Sequence, residues 1–173
     1  MPLTKQNLLD FLSEIDEKLE KKIILVAAGG TALTLLNSKD STKDVDFTIP
    51  HEHYDEFKKA EHMTQTNFRV DVWTSGLVFS QQLPDDYLEK SIFIKTQLKN
   101  IELRALNPID IIVTKIGRLD ERDQQDIKVC IKKFKITKSQ ILKRGKQVEY
   151  TGREENYLIN LNHVIVNFKR YSK

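Results

Sequence analysis

Apolar and polar positions follow more than one period along this chain, and each period points to an element. Between Thr4 and Leu19 the apolar positions Leu8, Leu9, Phe11, Leu12, Ile15 and Leu19 recur at helical spacing with charges between them, which predicts an amphipathic helix. Ile23 to Ala27 is a continuous β-favouring run, as expected of a strand covered on both faces. Gly29-Gly30 breaks it, and Thr31 to Leu36 predicts a short helix. Val45, Phe47 and Ile49 alternate with Asp44, Asp46 and Thr48 and stop at Pro50, the pattern of a strand. Glu52 to His62 is polar and helical in character, and Phe68, Val70 and Val72 alternate with Arg69, Asp71 and Trp73 as a third strand. Ser91–Thr96 and Leu98–Leu106 predict a hairpin or two further strands about residues 97–100.

Asn107-Pro108-Ile109-Asp110 has the form of a helix start, with Asn as N-cap, Pro at the first helical position and an acid at the third. From there to Lys173 nearly everything reads as helix, with breaks near 118–121, 136–138 and 145–152. Tyr157, Leu158, Leu161, Val164, Ile165 and Phe168 mark one face of the last helix. Strands mixed with helices first, and helices last, predict an α+β fold with a small mixed β-sheet flanked by helices. That core is expected over residues 1–106, with a helical C-terminal part, residues 107–173, packed on it.

Composition narrows the class. With 39% hydrophobic and 31% charged residues the chain can bury a core, which excludes a disordered polymer. The single cysteine, Cys130, excludes an internal disulfide framework and a cysteine zinc cage. The longest apolar run, Ile23 to Ala28, is far short of the ~20 residues of a membrane helix. Met-Pro-Leu-Thr-Lys-Gln does not open a signal peptide, so a soluble cytoplasmic protein without a membrane partner is the expectation. Net charge is +3 but unevenly placed: residues 128–173 hold 12 basic and 3 acidic side chains, leaving 16 basic and 22 acidic for the first 127. An acidic half with a basic tail suits an enzyme that grips a polyanion such as RNA, with a solvated helical surface as the plainer reading.

The chemistry concentrates in residues 27–49. Asp44 and Asp46, two apart on a strand, leave the same face of the sheet and repel unless a cation lies between them. Mg²⁺ favours one or two carboxylates together with phosphate oxygens. Gly29 and Gly30 just upstream offer backbone N–H groups at a helix start, where phosphate binds well. Asp71 adds a third acid if its strand neighbours the first, the minimum for two metal ions in an in-line displacement. Each part has a plainer reading as a tight turn, a solvent-facing strand position or an exposed acid; the combination is more specific than any part.

Gly29-Gly30-Thr31-Ala32-Leu33, then Thr42-Lys43-Asp44-Val45-Asp46-Phe47, then Asp71 resembles the DNA-polymerase-beta-like nucleotidyltransferase superfamily. Within it the chain looks most like the small prokaryotic branch that includes AbiEii-type toxins. That branch continues with a helix beginning Asn/Ser-Pro, a lysine one or two turns in, and a later Arg/Lys-Asp-x-x-Asp motif. Here these are Asn107-Pro108, Lys115 and Arg122-Asp123-Gln124-Gln125-Asp126. The resemblance, over residues 20–130, implies that Gly29, Gly30 and Thr31 hold an NTP triphosphate and that Lys115 neutralises phosphate charge. It implies that Asp44, Asp46 and Asp71 are the metal ligands for two Mg²⁺, with Mn²⁺ able to substitute, and that Asp71 helps deprotonate the acceptor. Asp123 and Asp126, three apart on a helix, would orient Lys115 or cap a neighbouring helix. Where the family commonly has an arginine, this chain has Ser38-Lys39-Asp40-Ser41, and Lys39 lacks bidentate geometry.

Other candidates rank lower. His51-Glu52-His53 invites a zinc reading but more simply enters a helix, and Cys130 is most simply a buried small hydrophobe. Trp73, Phe79 and Tyr87 either line a base or acceptor pocket or pack in the core. The expected function is transfer of a nucleoside monophosphate from an NTP to a hydroxyl of RNA, such as tRNA, or of protein. A toxin role with an antitoxin protein as partner is the setting that the resemblance implies. The alternatives are a non-catalytic nucleotide or nucleic-acid binding module, and a phosphohydrolase, which would call for a His/Asp cluster not seen here.

Overall fold

The run Ile23–Ala27 lies where a doubly covered strand belongs, at the middle of a five-stranded mixed sheet. The protein is described by a computed structural model that covers residues 1–173. Its sheet strands are β1 (Ile23–Ala27), β2 (Val45–Ile49), β3 (Val70–Thr74), β4 (Ile92–Phe93) and β5 (Ile101–Ala105), in the spatial order β3-β2-β1-β5-β4. β1 runs parallel to β5 and antiparallel to β2; β2 runs parallel to β3, and β4 lies antiparallel on the edge beside β5. All five residues of β2 are buried, Asp46 and Thr48 included; strands flank it on both sides and α2 (Gly29–Leu35) packs against it.

The helices of five residues or more are α1 (Lys5–Asp16), α2 (Gly29–Leu35), α3 (Tyr54–His62), α4 (Pro108–Ile116), α5 (Glu121–Phe134), α6 (Lys138–Gly145), α7 (Glu154–Val166) and α8 (Phe168–Ser172). α1 starts in a reciprocal cap between Thr4 and Asn7 and buries Leu8, Phe11, Leu12 and Ile15. At its end the Asp16 carboxylate accepts N–H bonds from Lys99, Asn100 and Ile101, which fixes where β5 begins. The mixed α+β architecture matches the sequence pattern. No helix is long and apolar enough to cross a membrane.

Differences from the sequence pattern are local. The third strand is Val70–Thr74 instead of starting at Phe68, and the first hairpin arm shortens to Ile92–Phe93. Five two-residue strands escape the alternation pattern because two residues carry no period. Among them, Glu149–Tyr150 pairs with Gln81–Gln82, which pairs in turn with Leu77–Val78, stitching the C-terminal helices to the turn after β3.

A single core cluster runs from Leu3 to Tyr171. Its central helix is α4, capped by the Asn107 side chain on the N–H groups of Ile109 and Asp110. Asp110 is fully buried and meets Arg144 of α6 in a two-pronged pair at 2.6 and 3.0 Å, while Arg144 also donates to Asp86 at 2.8 Å. A buried pair of this kind contributes little net stability yet is costly to break on one side. Arg144→Met is therefore expected to lower the unfolding free energy by about 3–5 kcal/mol in urea titration, with Arg144→Met/Asp110→Asn recovering much of the loss. A loss below about 1 kcal/mol for the single variant would show that the pair does not fasten α6 to α4.

Candidate active site

Parallel pairing of β2 with β3 sets Asp46 directly beside Asp71, so both carboxylates leave the same face of the sheet. Asp44, two residues before Asp46 and exposed, joins them on one wall of a cavity of about 430 Å³. Thr31 locks this wall to α2: its hydroxyl accepts the N–H of Asp46 at 3.0 Å and donates to the Asp44 carbonyl at 3.2 Å. Thr42 donates to the same carbonyl at 2.9 Å. The Thr31 side chain, fully buried, is thus part of the framework, and what Thr31 offers a ligand is confined to its backbone.

Gly29 stands at φ +52°, and a Cβ there would lie 2.9 Å from Asp46 Oδ2, so the site requires glycine on both counts. Gly30 lines the cavity, where a Cβ would meet Thr42 Oγ1 at 2.7 Å. The close approach of α2 removes water from Asp46, which is 7% exposed. Burial first, then the Asp71 and Asp44 charges, push its carboxyl from the ordinary 3.8 up to about 7, although Lys115 and Arg118 pull the other way.

The facing wall is a chain of alternating charges. Lys39 Nζ meets Asp126 Oδ1 at 2.9 Å, Asp126 Oδ2 meets Lys115 Nζ at 2.9 Å, and Lys115 Nζ donates to Asp123 Oδ1 at 2.9 Å. Arg118 closes it with two bonds to Asp123 at 2.7 and 2.8 Å. Lys115 is buried, which disfavours its charge, yet Asp126 and Asp123 more than offset this and hold its ammonium above the usual range. Burial likewise opposes the Asp123 charge, and Arg118 and Lys115 overcome it, keeping that carboxyl low. Asp123 and Asp126 accordingly orient Lys115, and Lys39 is the cation nearest Gly30.

The donor set of the first wall suits a hard divalent cation: carboxylate oxygens whose mutual repulsion such an ion would relieve. Arg69 holds Asp71 at 2.9 Å, and no three carboxylate, imidazole or thiol groups are drawn in around a common point. The three acids share a cavity wall, and the charges of Asp71 and Asp44 are felt at Asp46.

Arg118, lining the cavity, is a functional candidate that the pattern of the sequence did not single out, and Arg122, which the sequence marked only as the first residue of the Arg-Asp-x-x-Asp motif, lines it too. The available signal for Arg118 is its position three residues after Lys115, on the same side of the chain as it leaves α4. Its guanidinium also lies 5.0 Å over the Phe79 ring. The three aromatic candidates divide: Trp73 and Phe79 line the cavity edge-to-face at 5.2 Å, whereas Tyr87 is buried in the core. Phe79 adopts φ +55°, unusual for an aromatic residue and without a signature in the sequence. His53 Nδ1 accepts the Ile24 N–H at 3.0 Å, a framework role. Cys130 is buried and its thiol is pushed up to about 12 by that burial, as befits an inert packing group.

A family model described as "Nucleotidyltransferase of unknown function (DUF6036)" matches residues 6–171, and the chain belongs to that family. No curated protein and no solved structure matches it. The general class read from residues 27–126 is therefore right: this is a member of a nucleotidyltransferase family.

Strain at Asp46 has a measurable sign. Its folded value lies above the ordinary one, so the folded protein holds the extra proton and loses stability as pH rises from about 4 to about 7. In EDTA, Asp46→Asn is expected to flatten this decline and to exceed wild type in stability above pH 7 by on the order of 1–4 kcal/mol, the two converging near pH 4. Parallel stability curves across that range would show that Asp46 is not strained.

Proposed function

We propose that the protein is a Mg²⁺-dependent nucleotidyltransferase that moves a nucleoside monophosphate from an NTP to an acceptor hydroxyl. A bond forms between the acceptor oxygen and the α-phosphorus, the bond from that phosphorus to the bridging oxygen breaks, and pyrophosphate leaves. The observation that carries this reading is the same-row placement of Asp46 and Asp71, with Asp44 beside them, opposite a wall of fixed cations. Mg²⁺, or Mn²⁺ in its place, held by Asp44, Asp46 and Asp71, would supply acidity to the acceptor hydroxyl and offset charge on the phosphates.

The chain's own groups do the rest. The start of α2 at Gly29 and Gly30 presents backbone N–H groups to the triphosphate. Lys115, held by two carboxylates, acts as a fixed charge behind the phosphates, while the half-exposed Arg118 and Lys39 are the cations able to reach them. Asp71, less buried than Asp46, is placed to take the acceptor proton. Trp73 and Phe79 give an apolar flank that excludes water from the transfer. The AbiEii-type resemblance supports a toxin held in check by an antitoxin protein as the biological setting. A binding module that keeps the fold without catalysis is the second reading, favoured by the Arg69–Asp71 pair, which neutralises one of the acids.

Incubation with each α-labelled NTP, Mg²⁺ or Mn²⁺, and total RNA or lysate separates the two. Label transfer is expected for wild type, with a loss of at least about 100-fold in Asp46→Asn and Asp71→Asn, a scale typical of removing a group that stabilises the transition state. Unlabelled acceptors under every condition, together with NTP binding that the variants retain, would sink the transferase reading in favour of the binding module.

A further inference from the structure

The helix that completes the candidate active site has a second, outward face that the transfer chemistry does not use. α5 carries two acids beyond its first turn's Glu121, Asp123 and Asp126, and both are buried against Lys115. Its exposed positions after Glu121 are Arg122, Gln124, Gln125, Lys128, Lys132 and Lys133, with no acid among them. Lys133 is engaged by the carbonyls of Leu36 and Asn37 at the end of α2. The others continue the cavity outward: Arg122 and Gln125 line it, and Lys128, Lys132 and Lys135 follow at intervals of three and four residues, one stripe along a helix.

The stripe ends in a groove of about 380 Å³ between α5, α6 and α8, lined by Lys132, Lys135 and Lys138 with Thr137, Phe168 and Ser172. Of the 12 basic residues in 128–173, Arg144 alone is ion-paired within the protein. Lys138 sits in the first turn of α6, where no acid offsets it and where the helix dipole disfavours a cation. Folding gains nothing from a lysine there, and a bound anion would. Phe168 is half-buried beside these lysines and offers a ring on which a base can stack.

We propose that the outer face of α5, from Arg122 to the Lys132–Lys135–Lys138 groove, is a track for the sugar-phosphate backbone of a nucleic-acid strand whose terminal hydroxyl is the acceptor. The ten steps from Gln125 to Lys135 span ~15 Å at ~1.5 Å per residue, enough for roughly four nucleotides at ~3.4 Å each. The strand's direction rests on the cavity being the transfer site; the binding itself does not.

The test is fluorescence anisotropy of a 5′-labelled single-stranded 20-mer, as RNA and as DNA of the same sequence, titrated with full-length protein in EDTA and without NTP over a range of salt. Lys128→Gln/Lys132→Gln/Lys135→Gln/Lys138→Gln is compared with Lys21→Gln/Lys22→Gln/Lys95→Gln/Lys99→Gln, which removes equal charge elsewhere. Removal of the track is expected to weaken binding at least about 10-fold and to lower the log–log salt slope by about 2–3, near 0.7 per phosphate contact, while the control keeps most of both. Equal binding of RNA and DNA assigns the track to the shared backbone, and tighter RNA binding adds a contact to the 2′-hydroxyl; either supports the track. An equal effect of the two quadruple variants, or an unchanged slope, overturns it and leaves a solvated surface. Because this readout needs no metal or NTP, strand binding that persists where label transfer is absent refutes the transfer reading and not the track.

Discussion

Two carboxylates held side by side on parallel strands, one of them under a helix that shuts out water, form the constraint around which this protein is arranged. The register of β2 on β3 brings Asp46 and Asp71 together, and the buried Thr31 hydroxyl and the Cβ-free Gly29 bring α2 down upon them. Burial comes first, and the Asp71 and Asp44 charges, less screened there than in water, add to it, which is why Asp46 holds its proton to near neutral pH. A fold that only needed stability would set an apolar or neutral residue there. Retaining the repulsion makes sense when a positive ligand is to be received.

The facing cations are managed by the opposite device. Lys115 and Arg118 are fastened by Asp123 and Asp126, so their charges are fixed in direction before a substrate arrives. One sequence segment thereby does two jobs. The inward acids of α5 build the rear wall of the cavity, and turning Asp123 and Asp126 inward leaves its outer face beyond Glu121 basic or neutral. The charge asymmetry between the first 127 residues and the rest is thus a sorting of sign by helix face and by location.

Much of this was legible in the chain. The doubly buried strand at Ile23–Ala27, the alternating strand at Val45–Ile49 and the capped helix at Asn107 each rest on several consecutive residues with one consistent period, and they occur as expected. The Asp44–Asp46 pair and the glycines were legible for the same reason, since short-range spacing decides which face a side chain takes, whereas Asp71 joins them only through a strand pairing that the sequence left conditional. Less visible was whatever depends on contacts between distant segments. Nothing local shows that Thr31's hydroxyl would be taken up by the backbone of residues 44–46, that Arg69 would hold Asp71, or that Arg118 would stack on Phe79. Phe79 and Tyr87 look alike as isolated aromatics, and only the turn after β3 separates a cavity wall from a core residue.

The most direct measurement of the central claim is Mn²⁺ binding followed by electron paramagnetic resonance, with a non-hydrolysable NTP analogue present and absent, in wild type and Asp44→Asn/Asp46→Asn. Saturable binding near two ions per chain with the analogue, lost in the double variant, is the expected result. Mn²⁺ binding that is the same in both proteins would contradict the claim that these mutually repelling carboxylates exist to receive a metal.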